Sequence, residues 1–264
     1  MNLIQINDYA AYKDAVTEAK SNGYKRTNCY FLPNQIMQLI EKGCLYMKKM
    51  EGILLIFEDV GTFYRCYYYM GNPVGRLESD KQIVIEFPFN GTLTEEQRAQ
   101  EKALLSMGFR LGCESALMYA DPAVVAPKGE IDPRVVPARP QDISQVRQML
   151  LETFDEIYAF IPSEEELLAK AEKGEVLVCR NNDLVTGVVT VGQTKRQAMM
   201  HSLVVKDRGA GLGRALVHAF MIKYRDTSNL FCHWVDIHNT PAVEYHKHFG
   251  YSFGLKRANE YIIK

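Results

Sequence analysis

Three glycines in five residues, Gly209, Gly211 and Gly213, stand between the apolar run Met199–Val205 and an apolar-periodic segment that continues to Tyr224. An apolar strand that enters such a turn and leaves it as a helix brings several unpaired N–H groups and a partial positive charge to one point. Glycine lets the backbone close on an anion with no Cβ in the way. The segment Arg208-Gly209-Ala210-Gly211-Leu212-Gly213, with Arg208 and Arg214 adding charge, therefore reads as a cradle for a pyrophosphate. A dinucleotide fold would place glycines first, third and sixth; Gly209 and Gly211 fit, but Arg214 fills the sixth place, where helix and strand must pack closely. Asp236 lies at a distance suited to a ribose, whereas Lys206-Asp207-Arg208 holds the apolar run away from the first glycine. A Walker-type loop is excluded, because no Gly-Lys-Ser/Thr follows.

A second group able to do chemistry is His201. It precedes Leu203 and Val205 at intervals of two, and strand alternation places all three on one face. Imidazole, with a reference pKa of about 6.5, suits proton transfer near neutral pH. A histidine hydrogen-bonded inside the sheet fits the same pattern.

The elements that must position these residues are legible around them. Asp142 is expected to cap a helix to about Phe154, and Ser163 one ending near Gly174. Strands are expected at 175–180, 184–193 and 197–205, then a helix over 211–225, a strand at 230–237, a helix over 240–249 and a strand at 252–263. Further upstream, helices are expected over 8–22 and from Pro33 to Gly43, strands at 44–49, 53–59, 62–70 and 82–87, and a helix opened by a capping box at Thr94 and Gln97. Both halves share this order and end alike, in Met-Gly-Phe-Arg (107–110) and Phe-Gly-Tyr-Ser (249–252), each followed by a strand. We read this as a diverged internal duplication. The first copy has only Gly71–Lys81 where the second has its glycine turn and long helix. The segment 121–133, with three prolines and a glycine, is the expected linker between domains at 1–120 and 134–264.

Composition sets the outer limits. The 264 residues are 47% hydrophobic and 24% charged with a formal net charge of -1, so the basic excess of a nucleic-acid binder is missing. The six cysteines are dispersed, which argues against a zinc site and a disulfide framework and for reduced thiols in a cytoplasmic protein. Neither a signal peptide nor an apolar run of membrane-spanning length is seen.

Arg208, Gly211 and Gly213, after an apolar strand and before a helix, resemble the acetyl-CoA motif of the GNAT acetyltransferase superfamily. A second signature of that family matches at Asn239, Ala242, Gly250 and Tyr251, with His246 in the place of the usual tyrosine and Tyr245 one residue early. Residues 134–264 carry the resemblance, and residues 1–120 look like a degenerate copy without the cofactor motif. The implied fold class is α+β: two GNAT-like domains in tandem, each a mixed, mostly antiparallel sheet flanked by helices.

The resemblance also implies a chemistry. Acetyl-CoA, or another short acyl-CoA, would be the co-substrate, its pantetheine arm bonded to the backbone of Leu203, Val204 and Val205 and its pyrophosphate to the amides of 208–213. Transfer to an amine would be direct, with no metal, requiring a base and an acid for the leaving thiolate. The sequence His201-Ser-Leu203-Val-Val205 is similar to a run in arylalkylamine acetyltransferases, making His201 the base candidate. His246 is the first acid candidate, as an imidazolium, as in phosphinothricin-type acetyltransferases. Tyr245, about 100° round the helix, is the second and is expected to pack in the core. His233, His238 and His248 are expected on the surface or in loops. The acceptor site would lie near 154–163. The expected partner is a small-molecule amine or amino acid, with no nucleic acid and no membrane; a homodimer stays open. The rival readings are a protein or peptide N-acetyltransferase and a non-catalytic CoA-holding module.

Overall fold

The computed structural model describes residues 1–206 and 209–264, so Arg208 lies outside the described residues. The chain forms two compact units, Met1–Ser115 with Leu255–Lys264, and Ala116–Gly254. Its elements run β1 (Ile4–Gln5), α1 (Tyr9–Ser21), β2 (Arg26–Thr27), α2 (Pro33–Glu41), β3 (Leu45–Met50), β4 (Ile53–Asp59), β5 (Phe63–Met70), β6 (Gln82–Asn90), α3 (Glu95–Ser106) and β7 (Arg110–Ala120). A short α4 (Pro122–Val125) lies in the segment expected as linker, and β8 (Val135–Pro137), α5 (Ile143–Thr153), α6 (Glu164–Glu172), β9 (Val176–Asn181), β10 (Leu184–Thr194) and β11 (Gln197–Val205) follow. The chain continues through α7 (Leu212–Tyr224), β12 (Leu230–Asp236), α8 (Thr240–Lys247) and β13 (Ser252–Ile263).

In the first unit the sheet order is β1-β3-β4-β5-β6-β13, with β2 added on β5. The run Ile53–Phe57 is buried throughout because both faces of β4 are covered. Leu54 and Ile56 pack with Tyr12, Val16 and Ile36 of α1 and α2, and Ile53, Leu55 and Phe57 with Leu104 of α3. Thr94 and Gln97 cap α3 reciprocally, at 3.2 and 3.0 Å. The strand beside β6 is β13: Lys256–Ile263 pair antiparallel with Asn90–Ile83. Residues 255–264 therefore belong with the first unit, and a cut at 121–133 would part them from the strand they pair with.

The second unit repeats the plan, with sheet order β12-β11-β10-β9-β8. Along β10, Val185 and Val188 face α5 and α6, while Val189 and Val191 face α7. Most pairings are antiparallel; β5 with β6 and β11 with β12 are parallel. Each described unit is thus a mixed, mostly antiparallel sheet flanked by helices, in tandem along the chain.

Ser163 and Glu166 cap α6 as the sequence predicts, at 3.2 and 2.8 Å. Asp142 stands before α5 but does not cap it. Its carboxylate accepts instead from Arg139 N at 2.6 Å and from Arg180 Nε and Nη2 at 3.1 and 2.7 Å. With only 3% and 11% of the two side chains exposed, this is a buried ion pair. Burial alone would raise the Asp142 pKa, but Arg180 and the Arg139 amide outweigh it and hold it below the ordinary value. Asp142→Ala, which leaves Arg180 buried and unpaired, is expected to cost about 3–5 kcal/mol in denaturant unfolding. The contribution of the native pair is present above the unfolded carboxylate pKa of about 3.9 and fades as pH falls through the lower folded value.

Candidate functional site

β11 and β12 pair for only three positions, Gln197–Met199 with Leu230–Cys232. From Met200 onward β11 keeps β10 on one side, and among the described residues no strand lies on the other. A parallel pair that opens in this way leaves alternate N–H and C=O groups of Met200–Val205 without a strand partner among the described residues. Leu203 and Val205 pack toward α7 and Val204 toward α5, which fixes the strand between the two helical layers.

The glycine turn follows β11 in the chain. Gly211 has φ +74° and stands at the N-terminal cap of α7, a left-handed conformation that favours glycine. The bond from Ala215 N to Gly211 O, at 3.0 Å, opens the helical ladder, so the amides of Leu212, Gly213 and Arg214 have no acceptor within the helix. A Cβ built on Gly209 or Gly211 meets nothing within 4 Å, so both face open space. Gly213 differs: a Cβ there would lie 2.8 Å from Tyr245 Oη and 3.6 Å from Val205 Cγ2. The first two glycines thus shape the turn, and the third lets α8 approach α7.

One residue at the turn carries no motif. Arg134 Nη1 donates to Ala210 O at 3.2 Å. Its Nε and Nη2 are held by Asp132 at 3.0 and 2.7 Å, a two-point clamp that orients the guanidinium. This strut from the chain before β8 places a fixed cation at the turn. Its only trace in the sequence is the Asp-x-Arg spacing of 132 and 134.

His201 sits where the strands part, and its face differs from the one alternation predicts. Thr190 pairs with Ser202 and Val191 with Met200, so His201 is the extra residue of a β-bulge. The insertion breaks the period of two. Leu203 and Val205 face α7, but a Cβ on Gly192 would lie 2.9 Å from His201 Nε2 and 3.9 Å from Lys170 Nζ, on the α6 side. The side chain reaches solvent within a crease of the sheet. Desolvation there, then the charge of Lys170, lowers its pKa below the ordinary 6.5, against a weaker opposing effect of Glu175. The imidazole is neutral at neutral pH and can accept a proton.

The two acid candidates stand on different faces of α8. His246 is buried, its ring 3.8 Å from that of His233. Burial first, then the neighbouring His233, push its pKa down to about 3, which favours the neutral imidazole at neutral pH. His233, expected at the surface, is itself buried, with a pKa pushed down to about 4 mainly by desolvation. Tyr245 packs against the core as expected, and its buried hydroxyl lies against the first turn of α7 with no hydrogen-bond partner among the described residues. Burial raises its pKa, partly offset by Arg214, so the phenol keeps its proton at neutral pH. Asn239 caps α8, its Oδ1 accepting from Ala242 N at 3.2 Å. Among the described residues no group of three or more His, Cys, Asp or Glu could hold a metal ion, and no helix is long and apolar enough to cross a membrane.

Known proteins show the same architecture. A GNAT-family N-acetyltransferase from Sphaerobacter thermophilus superposes with a TM-score of 0.56 at 13% identity, over 89% of this chain and 86% of its own. A GNAT-family acetyltransferase from Colwellia psychrerythraea gives 0.52 at 11% identity over all of both chains. A tandem GNAT protein from the clavulanic acid biosynthesis pathway gives 0.56 at 9% identity, over 99% of this chain and 98% of its own. At these identities the likeness is one of fold. No curated protein matches the sequence significantly. The sequence profile of the acetyltransferase (GNAT) family matches residues 143–251, which span the bulged strand, the glycine turn and α8. Residues 143–251 thus form a domain of the acetyltransferase (GNAT) family, and the chain as a whole shares the fold of tandem GNAT proteins.

Proposed function

We propose that the second unit moves an acetyl group from acetyl-CoA to a primary amine of a small molecule or amino acid, by direct transfer. The observation that carries this reading is the meeting, where β11 leaves β12, of a bulged neutral histidine, an opened backbone edge and a glycine turn beyond it. The amides of 209–214 would take the pyrophosphate, with Arg134 and Arg214 beside them, and the edge of Leu203–Val205 the pantetheine arm. Arg208 completes the motif in sequence. His201 would remove a proton from the incoming ammonium. The amine nitrogen then bonds to the thioester carbon, the C–S bond breaks, Tyr245 gives its proton to the departing sulfur, and the second proton released from the nitrogen restores the phenol.

The test is thiol release from acetyl-CoA against a panel of amines, amino acids and peptide N-termini. Release with a small amine is expected. Release with peptides alone would move the acceptor class to proteins, and CoA binding without release would reduce the unit to a holding module. Because His201 acts as a neutral base with a pKa below 6.5, kcat/KM should be full above that value and fall as pH drops through it. His201→Gln should lose about 10²-fold in rate and the acidic limb with it; an unchanged profile would remove His201 from the mechanism.

A further inference from the structure

The edge that lies open in the second copy is covered in the first by the chain itself. β5 and β6 pair in parallel only through Phe63–Arg65 with Gln82–Val84, the same three positions over which β11 and β12 pair. Beyond them β2 takes the place of β6: Arg26 and Thr27 pair antiparallel with Met70 and Tyr69. Thr27 Oγ1 donates to Tyr68 O at 2.6 Å. The buried Asn28 then spans the opening. Its Oδ1 accepts from Tyr68 N at 2.8 Å, and its Nδ2 donates to Cys66 O at 3.4 Å on one strand and to Glu86 O at 2.9 Å on the other.

A carboxamide joins a carbonyl acceptor to an N–H donor group, the same kinds of group that each amide of a pantetheine arm presents to a strand edge, with a second N–H that reaches the other strand. We propose that Thr27 and Asn28 are a built-in occupant of the first copy's split, holding in cis the hydrogen-bond positions that an acyl-CoA arm would use. The chain accordingly takes one acyl-CoA, and its first copy is a self-liganded fold. The inference rests on reading the second split as the cofactor site. It goes beyond the missing glycine turn, because it explains how a parted strand pair stays satisfied without a ligand: Tyr68 N and Glu86 O, otherwise buried or half-open in the gap, are bonded.

Two measurements on the full chain test it. Calorimetry with acetyl-CoA should give one site per chain. Amide hydrogen exchange at Tyr68 should be slow and unaltered by acetyl-CoA, and Asn28→Ala should speed it about tenfold or more, as loss of a buried hydrogen bond does. Thr27→Val, a milder change that keeps the volume of the side chain, should speed it less. A second calorimetric site, slowing of Tyr68 exchange by acetyl-CoA, or unchanged exchange in Asn28→Ala would overturn the proposal. Absence of any acetyl-CoA binding would instead sink the cofactor reading of the second unit, and the exchange of Tyr68 would still decide whether Asn28 fills the first.

Discussion

Tyr245→Phe is expected to slow acetyl transfer by about 10²–10³-fold while changing acetyl-CoA affinity by no more than about twofold. The substitution removes one oxygen and leaves the ring that packs on Phe249 and His246 in place. An interaction made only as the thiolate departs lowers kcat and kcat/KM together, which separates it from a binding contact. His246→Phe supplies the contrast. His246 is neutral and packed on His233, so its replacement should reduce stability through repacking while leaving the pH profile of kcat unchanged. Steady-state thiol release with the two variants decides the matter. A Tyr245→Phe enzyme at full speed beside a His246→Phe enzyme with an altered pH profile would return the acid role to His246.

Gly211→Trp should weaken acetyl-CoA binding by at least about 100-fold, a factor set by closing a cradle built on backbone amides. Two effects combine at this position. A side chain at φ +74° costs about 1–2 kcal/mol in backbone strain. The indole would also project into the space where nothing lies within 4 Å of the added Cβ, which is where a phosphate must come. Titration calorimetry reads the loss, with circular dichroism to check that α7 is intact. Affinity retained in a folded variant would show that the site is elsewhere.

What could be read from the sequence was local. Capping boxes at Thr94–Gln97 and Ser163–Glu166, and the apolar run at 53–57, each depend on neighbours within a few positions, and the structure holds them where expected. The face of His201 could not be read, because a bulge is decided by how β10 and β11 pair and leaves no mark of composition. The burial of His246 against His233 could not be read either, because it is decided by how α8 packs on β12. One residue on a helix is about 100° of rotation, so Tyr245 and His246 stand on different faces of α8. Arg134 reaches Ala210 and Asn28 reaches Glu86 across long stretches of chain, and neither contact has a motif. The strand that completes the first sheet lay beyond local reading for the same reason.

That last strand bears on how the protein is made. Until synthesis has passed residue 263, β6 has an unfilled edge with Ile83, Ile85 and Phe87 beside it, an exposed template for pairing with another nascent chain. The first copy is therefore the earlier to be translated yet depends for its completion on the last residues of the second. Expressing the halves separately would give one protein short of a strand, and assembly of the first sheet must wait on a closure that spans most of the chain.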